Sequence, residues 1–141
     1  MEKLHYIPTF LLLFVISMLY ASISTEAVEP QVNQQENIAY VSGGIGQDEQ
    51  DTIDQQGKGF SLKITTATHN GHYLSGGRIL IMDSSDNQLL EASGQGPIFY
   101  ADLEPGTYRI KVEMPGLSSQ PAERITEIGD TQTLEAFTWQ E

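Results

Sequence analysis

The clearest alternation of hydrophobic and polar positions follows Leu103-Glu104-Pro105-Gly106. Tyr108, Ile110 and Val112 fall on one side, while Thr107, Arg109, Lys111 and Glu113 fall on the other. That period of two marks a half-buried strand. Just before it, Pro105 presets φ for the second position of a β-turn, and Gly106 is placed for the positive φ of a type II turn. Phe60, Leu62 and Ile64 alternate with Ser61, Lys63 and Thr65 in the same way. Residues 78–83 (RILIMD) are apolar on both faces and predict a strand covered on both sides. Residues 88–92, 97–103, 123–128 and 131–139 complete about seven short strands. Turn signals separate them, at Asn70-Gly71 in the loop over 67–77, at 84–87, 93–96 and 114–121, and at Gly129-Asp130. This spacing predicts an all-β fold, a single antiparallel β-sandwich.

Upstream of residue 60 the pattern changes. Residues 10–21 (FLLLFVISMLYA) form an apolar run behind Lys3, followed by small residues. Cleavage after Ala27 puts Thr25 at the −3 position, and cleavage after Ser24 puts Ser22 there. Residues 1–27 therefore read as a cleavable secretory signal helix, with an uncleaved anchor as the alternative. Residues 28–37 are polar and Gln-rich, without periodicity, and read as a disordered spacer. Ile38-Ala39-Tyr40-Val41 reads as a short strand or an apolar arm, and Ser42-Gly43-Gly44-Ile45-Gly46 as a flexible hinge. Residues 47–56 (QDEQDTIDQQ) have acids in the first turn and Gly57 just past the end, the grammar of a short helix. Ile53 is its one apolar anchor, so the helix is expected to be marginal and to lie on the surface. The expected organisation is a signal over 1–27, a spacer and N-terminal extension over 28–59, and a sandwich over 60–139.

The chain has no cysteine, which excludes disulfides and Cys-based zinc sites. The part after residue 27 is still large enough to bury roughly 65% of its unfolded surface. Lys and Arg number 7 against 19 Asp and Glu, for a formal net charge of −12. Such a surface repels phosphate backbones and anionic lipids, so nucleic acid and membrane surfaces are not expected partners.

The run Phe99-Tyr100-Ala101-Asp102-Leu103-Glu104-Pro105-Gly106-Thr107-Tyr108-Arg109-Ile110 resembles the carboxypeptidase regulatory-like, or transthyretin-like, family of β-sandwich modules. The shared pattern is an aromatic strand, then Leu-x-Pro-Gly-x-Tyr-x-hydrophobic, carried here by Leu103, Pro105, Gly106 and Tyr108. The Arg78-Ile79-Leu80-Ile81-Met82-Asp83 strand and its Asp86-Asn87 turn also look like that family's hairpin. The resemblance covers roughly residues 60–139, and the lead-in at Tyr40-Val41-Ser42-Gly43-Gly44-Ile45-Gly46 resembles an extension of uncharacterised exported bacterial members. It implies structural, adhesive or carbohydrate-associated roles by analogy of fold. One branch of the wider group hydrolyses 5-hydroxyisourate, and its histidine and arginine site residues have no counterpart here.

Candidate chemistry is sparse. His69 and His72 flank Asn70-Gly71 and offer two imidazoles to a cation, against a plain reading as solvated loop histidines. The Gly43–Gly46 turn lacks the Gly-Lys-Ser/Thr ending of a phosphate loop. The acids at 48–54 and at 83–87 do not follow the spacing of a calcium-binding EF-hand loop. Ser93 lies outside any Gly-x-Ser-x-Gly elbow. Tyr73 and Tyr40, with Tyr100 and Trp139, are candidates for a sugar-stacking face. Tyr108 is expected in the core. The expectation is therefore a non-catalytic exported module without a cofactor, periplasmic or secreted, binding an envelope protein through sheet edges or loops. Carbohydrate binding through Tyr73 is the alternative, and metal binding through His69 and His72 is the second alternative.

Overall fold

A computed structural model describes residues 29–141, so the signal expected over 1–27 lies outside the described residues. Nine strands form two sheets. They are β1 (Asn33–Gln35), β2 (Ile38–Gly43), β3 (Leu62–Thr68), β4 (Arg78–Met82), β5 (Gln88–Ser93), β6 (Ile98–Ala101), β7 (Gly106–Glu113), β8 (Ala122–Ile128) and β9 (Thr133–Trp139). One sheet has the order β1-β2-β6-β3-β9 and the other β5-β4-β7-β8. The architecture is the expected all-β sandwich. Residues of alternating strands meet between the sheets: Leu62, Ile64, Phe99, Phe137 and Trp139 from one, and Ile79, Ile81, Leu90, Ile110 and Val112 from the other, all buried.

Several local expectations are corrected. The stretch 28–37 contains β1, which pairs antiparallel with β2 across a two-residue turn where Glu36 takes φ 53. Its polar composition concealed it because an edge strand of three residues has almost nothing to bury. β2 is likewise a full sheet strand, pairing with β6, so the sandwich begins upstream of residue 60. One ladder departs from the antiparallel pattern: β9 runs parallel to β3, with Leu62 opposite Thr133 and Thr68 opposite Trp139. The chain crosses from one sheet to the other between β8 and β9, and side-chain periodicity carries no information on strand direction. β4 is covered on one side only. Ile79 and Ile81 face the core, while Leu80 lies half-buried on the outer face between its register partners Glu91 and Lys111.

The Leu103-Pro105-Gly106-Tyr108 motif connects β6 to β7 without a type II turn, because Gly106 does not take positive φ and already pairs with Ile128. Tyr108 sits on the core side but at its rim, half-buried, and its hydroxyl donates to the Glu104 carbonyl at 2.7 Å. That bond back to the preceding connection is the device of a tyrosine corner. Burial and the nearby carboxylates of Glu104 and Asp83 push its phenol pKa up.

The helix α1 (Gln47–Gln56) forms where the sequence grammar places it. It covers the outer face of the five-stranded sheet, where Ile53 packs with Val41, Ile98 and Tyr100 beside Phe60. The Gly43–Gly46 segment is no hinge. Glu49 accepts from the Gly44 N–H at 3.0 Å, and the Gln50 amide donates to the Gly44 carbonyl at 3.1 Å, fixing the helix start.

Candidate functional site

Three regions of the surface carry enough chemistry to be considered as sites. The first is the lateral side where β8 and β9 end their respective sheets. Along β8, Thr126 and Ile128 are buried and Ile125 points outward. Along β9, Phe137 and Trp139 are buried and Leu134 points outward. Ile125 and Leu134 are each 69% exposed, the most exposed of the large hydrophobic residues described. Between the two edges lies a polar clasp. Glu135 faces inward beside Ile64 in the ladder, and it receives Arg124 at 2.7 Å and the Thr126 hydroxyl at 2.8 Å. The Arg124 guanidinium also lies 5.0 Å from the Phe137 ring centroid, a cation–π contact that closes the open side of the core.

The second region is the loop after β3. Thr68 and His72 exchange backbone contact across His69-Asn70-Gly71, with the Gly71 N–H donating to the Thr68 carbonyl and Gly71 at φ 87. This is a three-residue hairpin loop whose last position requires glycine. His72 Nδ1 lies 3.0 Å from Glu141 Oε1, and both side chains are exposed. Hydrogen bonding to His72 holds the Glu141 carboxyl below its ordinary pKa. Among the described residues no group of three or more His, Cys, Asp or Glu side chains is arranged to hold a metal ion. The structure therefore places His69 and His72 on one loop, with Glu141 beside His72, but does not bring the three together about one point.

The candidate sugar-stacking face does not assemble. Tyr73 is exposed and forms a bridge with Ala67. Tyr40, however, is stacked on Phe99 with centroids 5.6 Å apart and packs against the core. Through Ala101, Tyr40 is aligned with Leu62, five residues along β3 from Ala67, or about 17 Å at about 3.3 Å per residue. Tyr100 is buried under α1 and Trp139 is buried between the sheets. The alternation of each aromatic's own strand decides which way it points.

The third region was not anticipated. Under α1, the Tyr100 hydroxyl donates to Asp54 Oδ1 at 2.6 Å and Lys63 Nζ donates to the same oxygen at 2.9 Å. Partial burial pushes the Asp54 carboxyl up, but these two hydrogen bonds outweigh it and hold the pKa below the ordinary value. Burial acts first on Lys63 as well, and the bond to Asp54 reverses it, so the ammonium pKa is raised. Tyr100 is raised by burial and by its bond to the carboxylate. The three groups fix the helix to the sheet. Lys63 and Tyr100 face each other across the β3–β6 ladder, a pairing set by strand order that the sequence does not reveal.

Two open clefts collect acids. One, of about 540 Å³, is lined by Glu29, Asp48 and Glu49 with Pro30 and Ile45. The other, of about 500 Å³, is lined by Glu36, Asp102 and Glu104 with Ile38, Leu89 and Tyr108. No histidine, lysine or arginine lines either one.

No family model matches the chain, and no curated protein matches it. Among solved structures, the chain is similar to one described as the Bacillus anthracis TIE protein, with a TM-score of 0.46 and 15% sequence identity. The match covers 56% of this chain and 16% of that one.

Proposed function

We propose that this chain is a non-catalytic, exported interaction module that binds a protein of the cell envelope through the side of the sandwich formed by β8 and β9. The observation that carries the reading is the pair of seven-residue edge strands presenting Ile125 and Leu134 to solvent. Apolar side chains on an open edge are what strand addition and protein docking use. The polar chemistry elsewhere supports the same reading. Arg78, Arg109 and Lys111 are tied to carboxylates across the outer face of the four-stranded sheet, and Asp54, Lys63 and Tyr100 are tied to one another. Membership of the carboxypeptidase regulatory-like family, which the Leu103-to-Tyr108 motif resembles, is part of the proposal and fits an adhesive role by analogy.

The reading is tested by crosslinking the tagged protein in living source cells and identifying the captured material by mass spectrometry. One dominant envelope protein is expected. Capture of glycan without protein would contradict it and favour carbohydrate binding. That second reading is supported by Tyr73, which is 54% exposed beside His72. It predicts that Tyr73→Ala lowers retention on an envelope polysaccharide while the folded state is unchanged.

A further inference from the structure

Four strands end the two sheets, and three of their free edges are closed by recognisable devices. β1 is only three residues long. At β5, the Gln35 side-chain carbonyl already accepts from the Glu91 backbone N–H at 2.9 Å. β8 carries Glu123 and Glu127 on its outer face, and charges along an edge oppose further pairing. β9 differs. Its one charged residue, Glu135, is turned inward to Arg124 and Thr126.

The hydrogen-bond phase of β9 follows from its ladder. The Thr133 N–H donates to the Ser61 carbonyl, and the Trp139 carbonyl accepts from the His69 N–H. The odd-numbered residues of β9 thus bond toward β3. Alternation along a strand then turns the N–H and C=O groups of Leu134, Ala136 and Thr138 to the free side. Their side chains lie on the outer face, where Leu134 is exposed and none of the three is charged.

We propose that the free edge of β9 takes up an extended, lysine- or arginine-flanked strand of a partner protein, added as a further strand to the five-stranded sheet. This rests on the protein-binding reading above and assigns it a site and a partner chemistry. The charge follows from what is left unpaired. Lys63, Arg78, Arg109, Lys111 and Arg124 are each engaged by carboxylates. Glu127, near the end of β8, and Asp130, just before β9, are exposed and have no ion-pair partner among the described residues, while Glu141, just after β9, contacts His72, Asn70 and Thr68 but no lysine or arginine. A second copy is the poorer occupant. Antiparallel pairing about Ala136 would set Glu141 of one copy opposite Thr131 of the other, one position from its Asp130, between chains of formal net charge −12. A strand with basic flanks meets the same acids with opposite sign.

The test is an NMR titration of the full chain, purified from its source cells, with two synthetic probes. One is Lys-Lys-Thr-Val-Thr-Val-Thr-Lys-Lys, and the other replaces its lysines with glutamates. The expected result is saturable shifts at the amides of Leu134, Ala136 and Thr138, with the glutamate probe at least about tenfold weaker. Ala136→Pro removes only a donor on the free side, so the β3 ladder survives and binding should be lost. Leu134→Lys, on an exposed side chain, provides an independent variant and should weaken the lysine probe at least about tenfold. Shifts centred on Ile125, equal affinity for both probes, self-association through β9, or no saturation at millimolar peptide would each overturn the proposal. If a single envelope partner were nonetheless captured in cells, the protein-binding reading would stand and only its assignment to β9 would fall.

Discussion

Gly96 shows how a single hydrogen atom is required by the packing. A β-carbon added there would collide with the backbone carbonyl of Gly43, where β2 runs against the start of β6. Gly57 has the same problem against a side chain, because its β-carbon would enter the ring of Tyr100. Gly57 keeps φ −79, so it is glycine for lack of space and not for a left-handed conformation. Gly96→Ala is expected to cost about 1–3 kcal/mol, the usual range for overpacking. The measurement is the denaturant midpoint, and an unchanged value would contradict the close approach. Tyr108→Phe removes the hydroxyl bond to Glu104 while keeping the ring, and should cost about 0.5–1.5 kcal/mol. At this scale the sequence was informative about residue type and silent about partners. It marked Gly57 as a helix stop, and only the fold reveals the tyrosine beside it.

Helix α1 has little support of its own. It buries Ile53 alone, has no side-chain cap at Gly46, and carries no basic residue in its last turn to meet the dipole. Its attachment therefore depends on the Asp54–Lys63–Tyr100 cluster and on Gln132, whose amide donates to the carbonyls of Gly57 and Phe60. The sign of the pH dependence follows. Asp54 has a lowered pKa in the folded state, so the unfolded chain binds the proton more readily and the stabilisation is lost as pH falls through the folded pKa. Lys63 has a raised pKa, so its contribution is present below the unfolded value and is lost as pH rises through the folded one. Helix docking should thus be flat between about pH 5 and about pH 10 and weaken on either side. Hydrogen exchange of the α1 amides measures this. Asp54→Asn should speed their exchange at neutral pH and remove the acid limb, with a loss on the order of 1 kcal/mol once the half-exposed carboxylate is discounted. Unaltered exchange would show that Ile53 and Gln132 hold the helix without Asp54. The helix was evident in advance from its acids, its glycine and Ile53. Its resting place was not, because nothing local says which sheet face a short amphipathic segment will cover.

For the whole molecule, alternation in Phe60 to Ile64 and in Tyr108 to Val112 was enough to indicate two sheets around one core. It did not reveal β1, whose three polar residues bury nothing, nor the parallel run of β9 beside β3, which depends on how the chain crosses between sheets. The candidate site was hidden for the same reason. Leu134 and Ile125 look like core residues in sequence, and only the strand order makes β8 and β9 edges. Charge distribution, in contrast, was visible from composition, and the fold adds that the cations of the four-stranded sheet are consumed internally. The proposal that this edge meets a protein can be tested where the edge is most exposed. Its most direct test places a photo-crosslinking amino acid at Leu134, at Ile125 and, for comparison, at Leu80 on the outer sheet face, each in the full chain in its source cells. One crosslinked envelope protein is expected from Leu134, a weaker product or none from Ile125, and none from Leu80. A product confined to Leu80, or no protein product from Leu134, would contradict it.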